Sequence, residues 1–144
     1  MTKITFTNGT TPALNATNLN QMQTNTENAI NELKPIVLYN NSTGTTGTVT
    51  LSQNASNFSM LEIFYTKSSI GYQSVKVFSP NGKTVSLITG YINSTSEAQL
   101  LLPRATISGT SITRSYSGLI NFNASSHGMS TGNEVAIYAV VGYK

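Results

Sequence analysis

The sequence has no cysteine, no tryptophan and no aspartate, and it has a single histidine. Without cysteine there is no disulfide framework, so a small staple-dependent secreted scaffold is excluded. A Cys/His zinc site lacks its ligands, and a calcium loop of the EF-hand type lacks the aspartate that opens it. A Ser-His-Asp or Cys-His nucleophile system lacks its parts. Charge is scarce as well, at 9% of residues against about 25% in an ordinary soluble domain. Long apolar runs are absent: the longest, 36–39 and 135–141, fall far short of the ~20 residues of a transmembrane helix, so no membrane insertion is expected.

What replaces charge is neutral polarity. Ser, Thr and Asn together fill about 55 of the 144 positions. Eight Lys and Arg against five Glu give a net charge of +3. The cations are scattered along the chain, whereas binding to a nucleic acid needs several on one surface; no nucleic-acid partner is expected. The first residues, MTKITFTNGT, contain no apolar h-region and do not read as a secretory signal. Asn-x-Ser/Thr triplets recur at Asn8, Asn15, Asn54, Asn57, Asn93 and Asn123. In a chain this rich in all three residues they arise by chance.

The periodicity divides the chain into an N-terminal attachment segment and helix, 1–35, and a β domain, 36–144. The first part opens with a short alternating stretch, then Asn8-Gly9 and Pro12, which are turn signals. Asn15 stands where an N-cap would, and Pro35 where a helix must stop, which predicts a helix over about 16–33. Within it Leu19, Met22, Thr26, Ala29 and Leu33 alternate spacings of three and four. This is a heptad seam, narrower than the stripe of a helix packed on its own domain, and it points to self-association. Two heptads are marginal alone, so a second interface has to help.

From residue 36 the period becomes two. Strands are expected at 36–40, 48–52, 60–67, 73–79, 84–92, 98–102, a pair within 105–123, and 133–143. Ser79-Pro80-Asn81-Gly82 reads as a turn joining 73–79 and 84–92 as a hairpin. The fold class is therefore mainly β: a short N-terminal helix, as a trimeric coiled-coil stub, followed by an antiparallel β-sandwich or jelly roll. In the last strand Val135, Ile137, Ala139 and Val141 would share one face, and Ala136, Tyr138 and Val140 the other. Both faces are apolar, so both are expected to be covered, one by the core and one by a neighbouring subunit or a loop.

Residues for catalysis are few. A glycosidase usually needs two carboxylates about 5–9.5 Å apart, and the β domain offers Glu62, Glu97 and Glu134, each read as a surface residue. His127 lies in a Ser/Gly loop with no motif supplying a partner. No enzymatic activity, metal or cofactor is expected. Binding fares better: seven Tyr among Ser, Asn and Gly suit adaptable recognition. Rings that stack on sugars, with amides and hydroxyls beside them, are the elements of a saccharide site. Tyr72, Tyr91, Arg114, Tyr116 and His127 are its candidates by their position near loops and strand ends.

The stretch Asn8-Gly9-Thr10-Thr11-Pro12-Ala13-Leu14-Asn15-Ala16-Thr17-Asn18-Leu19-Asn20-Gln21-Met22 resembles the start of many bacteriophage tail, baseplate and fibre proteins, where a short strand leads into a stalk helix. Gly47-Thr48-Val49-Thr50-Leu51, Leu61-Glu62-Ile63-Phe64-Tyr65, Ile112-Thr113-Arg114 and the ending Val141-Gly142-Tyr143-Lys144 resemble the strands of their C-terminal domain. The resemblance implies a homotrimeric virion protein of a tailed phage of a low-GC Gram-positive host. It implies residues 1–14 as the contact to other virion proteins. It also implies either attachment to host cell-wall saccharide or decoration of the capsid or tail without receptor binding. It gives no catalytic residue.

Overall fold

A computed structural model describes residues 15–67, 71–116, 118–123, 127–131 and 135–144. The expected virion contact at 1–14 and the carboxylate Glu134 lie outside the described residues. The chain divides into two compact units, Met1–Lys34 and Pro35–Lys144.

The described part of the first unit is a helix, α1 (Ala16–Glu32). Asn15 caps it as expected, in extended conformation, its Oδ1 accepting from the Asn18 N–H at 2.9 Å. One of the four orphan donors of the helix start is thereby satisfied. Lys34 lies beyond the last turn, where its Nζ donates to Asn31 Oδ1. No residue of α1 is buried, and Leu19, Met22, Ile30 and Leu33 are all exposed, Leu33 at 81%. The Thr26 hydroxyl donates to the Met22 carbonyl one turn back. Gln21 with Asn25 and Gln23 with Glu27 form side-chain bonds at the i,i+4 spacing of neighbours on a helix surface.

The second unit is all β among its described residues apart from one 3₁₀ turn, Ala55–Asn57. Its strands are β1 (Ile36–Thr45), β2 (Val49–Thr50), β3 (Met60–Lys67), β4 (Gln73–Phe78), β5 (Thr84–Ser86), β6 (Thr89–Ser94), β7 (Glu97–Leu101), β8 (Arg104–Ser108), β9 (Ser111–Tyr116), β10 (Gly118–Asn123), β11 (His127–Thr131) and β12 (Val135–Tyr143). They form three antiparallel sheets of four, in the orders β1-β12-β3-β4, β2-β9-β8-β5 and β11-β10-β7-β6.

The second and third sheets are made from the same chain stretches. β9 runs on into β10, β7 into β8 and β5 into β6, with breaks of one or two residues, and the neighbour order is the same on either side. At the break Leu87 N–H donates to the Pro103 carbonyl and Leu102 N–H to the Gly118 carbonyl. Pro103, having no N–H, cannot continue the ladder, and the sheet changes there. Expected strands 84–92 and 98–102 are thus each interrupted or extended across this line.

One apolar core serves the first two sheets: Leu61 and Ile63 from β3 meet Ile107 and Ile112 from β8 and β9, all fully buried, and Leu101 of β7 closes the cluster. Each such side chain contributes about 1.5–3 kcal/mol by leaving water.

Two expectations are corrected. The turn at Ser79–Gly82 forms, with Gly82 at φ 78° and the Lys83 N–H donating to the Pro80 carbonyl. It does not make a hairpin, because β4 pairs with β3 and β5 with β8. The turn hands the chain from one sheet to another. In β12, the register passes from Ile137 opposite Tyr65 to Ala139 opposite Phe64, leaving Tyr138 as an extra residue. One inserted residue exchanges the faces beyond it. Val140 therefore joins Val135 and Ile137 in the core, while Ala139 and Val141 pass to the opposite side.

Candidate functional site

The outer side of the first sheet, away from the core, carries a cross-strand row Asn40, Ala139, Phe64, Ser74, read directly from the register. Beside this row both β1 and β12 are irregular: β1 between Asn40 and Thr45, β12 at Tyr138. Bulges re-aim side chains, and here they build a shallow cleft of about 210 Å3 lined by Asn40, Asn41, Ser42, Phe64, Tyr72, Tyr138 and Ala139.

Its walls are held by local chemistry. Asn41 Oδ1 accepts from the backbone N–H and the hydroxyl of Thr43, at 3.0 and 2.8 Å, and its Nδ2 donates to Thr45 Oγ1. The Tyr39 hydroxyl hydrogen-bonds the same Thr45 oxygen at 2.5 Å. Gly44, at φ 72°, lets the chain turn and makes room for the ring of Tyr138. Tyr72 meets Tyr138 edge to face, ring centroids 5.0 Å apart and planes at 85°, a favoured aromatic geometry. Tyr72 is nevertheless 66% exposed and offers the rest of its ring to solvent. Asn40 and Ser42 are exposed beside it. Open rings next to amide and hydroxyl groups match the polarity of a sugar, with its apolar ring faces and hydroxyl edges.

Further along the same outer side lies Glu62. Its carboxylate accepts from Ser74 Oγ at 2.8 Å and from the Tyr143 hydroxyl at 2.9 Å, and Lys76 stands opposite it on β4. The Ser74 bond, against some desolvation, and then Tyr143 and Lys76 hold this carboxyl below its ordinary value. The hydrogen bond to Glu62 in turn raises the pKa of the Tyr143 phenol. Glu97 is on the third sheet, where its Oε1 accepts from Gln99 Nε2. The two described carboxylates of the β unit thus sit on different sheets, each in its own hydrogen bonds.

Of the five expected saccharide contacts, Tyr72 lies in the cleft. Tyr91 does not: its ring stacks under Lys67, whose Nζ is 3.9 Å from the centroid, and its hydroxyl bonds Gln99 and Lys67. This is a cation–π contact within the fold, on the side of the third sheet that packs towards the core. Arg114 donates through Nη1 to the carbonyls of Thr46 and Val135, tying β9 to β12 and to the loop after β1, and its burial lowers its pKa. The side chains of Tyr116 and His127 lie outside the described residues. Tyr138, Phe64 and the Asn40–Ser42 segment are members of the cleft that sequence reasoning missed. Only the Asn40-Asn41 pair at a strand end offered a signal.

A second hollow, about 280 Å3, is lined by Ser56, Phe58, Ser79, Pro80 and Asn81. It offers less: Phe58 is buried and Asn81 Oδ1 already accepts from the Gly109 N–H at 2.9 Å. Among the described residues no cluster of three metal-ligating side chains occurs, and no helix is long and apolar enough to cross a membrane. Comparison with protein-family models, curated proteins and solved structures finds no match to this chain.

Proposed function

We propose that this chain is a virion appendage protein of a tailed phage, homotrimeric through α1, whose β unit is a sandwich head that adheres to host cell-wall saccharide. The reading is supported first by the cleft. An exposed tyrosine, braced edge-on by a second and flanked by free amide and hydroxyl groups, is suited to stacking and hydrogen bonding with one sugar unit. Its volume, below the ~300–1,000 Å3 of a drug-sized pocket, suits one ring. The seam of α1 adds to it. Leu19, Met22 and Leu33 are exposed at heptad spacing, and a trimer would cover them. Residues 1–14 are assigned to contact with other virion proteins.

The test is binding of the full-length protein to purified Gram-positive cell walls and to an array of wall saccharides. The wild type is expected to bind, and Tyr72→Ala to lose about tenfold in affinity, the scale of one stacking contact. Equal binding by Tyr72→Ala removes the cleft from the reading. If the wild type binds no wall component, the alternative, decoration of the capsid or tail without a receptor, takes its place.

A further inference from the structure

On the third sheet, Ile92, Ala98 and Phe122 stand in one cross-strand row. Leu100, Ile120 and Met129 stand in the row two residues on, so all six share a face. The opposite face holds Thr89, Leu101 and Tyr91 against the core. An exposed antiparallel face normally alternates to polar residues; this one does not. Ile92 is 80% exposed, Met129 73% and Phe122 47%. Together they place on the order of 500 Å2 of apolar side chain in one patch, near the upper end for a monomer's largest.

We infer that this face is an assembly surface that packs against the same face of other copies of the chain. The inference rests on the self-association proposed above and assigns it a second surface. Area argues for it. A stable interface buries about 800 Å2 per partner. The exposed apolar side chains of the sheet face supply over half of that by themselves. Charge argues for the same occupant. Among the described side chains none on this face is charged, so copies gathered around one axis bring no like charges together there. A lipid surface would instead call for cations around the apolar patch.

The experiment uses the full chain with Ile92→Glu and Met129→Glu together. Both side chains already face solvent in the protomer, so far-UV circular dichroism should keep its wild-type β signal. Sedimentation and light scattering should show the dissociation constant raised on the order of 100-fold, as when charge is set into an apolar contact. Met129→Cys, in a chain with no cysteine of its own, should form a disulfide-linked dimer under mild oxidation. An oligomer that survives the Glu pair unchanged, with no cross-link at 129, overturns the inference. If Leu19→Asp with Leu33→Asp dissociates that oligomer, self-association through the helix still stands. A wild-type chain that is monomeric at every concentration overturns both, and leaves this face to a different protein.

Discussion

The ring of Tyr138 lies over the α-carbon of Gly44, so close that a β-carbon there would stand 2.7 Å from two ring atoms and 2.8 Å from the β-carbon of Ala136. Gly44 also holds φ at 72°, where L side chains are strained. Gly44→Ala is therefore expected to lose about 2–4 kcal/mol, from backbone strain and overpacking, read as a lower urea midpoint at unchanged slope. Because Tyr138 must move, wall binding should fall with it. Unchanged stability would show that the close seat of the ring is not required.

Gly142 gives the same kind of vacancy on the other side of β12. A β-carbon there would fall 2.5 Å from the ring of Phe58, which is buried. Gly142→Ala should destabilise by about 1–3 kcal/mol. Phe58→Leu in the same chain should restore part of that loss, and a double-mutant cycle measures the coupling.

Glu62 predicts an acid limb. Its folded-state carboxyl lies below its ordinary value of 4.5, so its bonds stabilise the fold above that value. The contribution is lost as pH falls below 4.5 through the lower folded value. The Tyr143 phenol, raised above 10.0, keeps donating up to and beyond that pH. In Glu62→Gln the fall in urea midpoint below pH 4.5 should be shallower than in the wild type. Parallel acid limbs would show that Glu62 is not linked to stability.

Under the proposed self-association through α1, Leu19→Asp with Leu33→Asp should lower the solution mass to that of one chain without changing the β signal in circular dichroism. Neither side chain is buried in the protomer, and an a/d seam does not tolerate two carboxylates per helix. Light scattering checks the mass; retention of the wild-type mass would show that α1 is not an assembly element.

The helix was legible because its limits are set by single residues, Asn15 and Pro35, acting locally. β3 and β4 were legible because Leu61, Ile63, Tyr65 and Val75, Val77 alternate without interruption. What failed was partner choice. Ser79–Gly82 carries every mark of a reversal, but a turn fixes a change of direction and says nothing about which strand will lie alongside. β11, with the sequence His-Gly-Met-Ser-Thr, has no alternation to read and was missed. The faces of β12 were misassigned because a bulge leaves no mark in a run of Ala and Val. The cleft was out of reach for the same reason: it is made by that bulge, and it joins Asn40, Phe64, Tyr72 and Tyr138 from distant stretches. Only Tyr72, exposed beside a glycine, could be named from the sequence.

In the first sheet β12 lies between β1 and β3, and it is the last strand of the unit. β1 and β3, both early in the unit, pair with β12 and not with each other. A loop of about 70 to 80 residues must close before β3 gains that partner and one of about 100 before β1 does, a cost that grows only slowly with length but comes before any reward. The edges of β1 and β3 stay unsatisfied until then, which is the period in which such edges join other chains. Slow folding of the unit is the expected consequence, and a chain cut short before Val135 is expected to aggregate, which light scattering of that truncated chain would read.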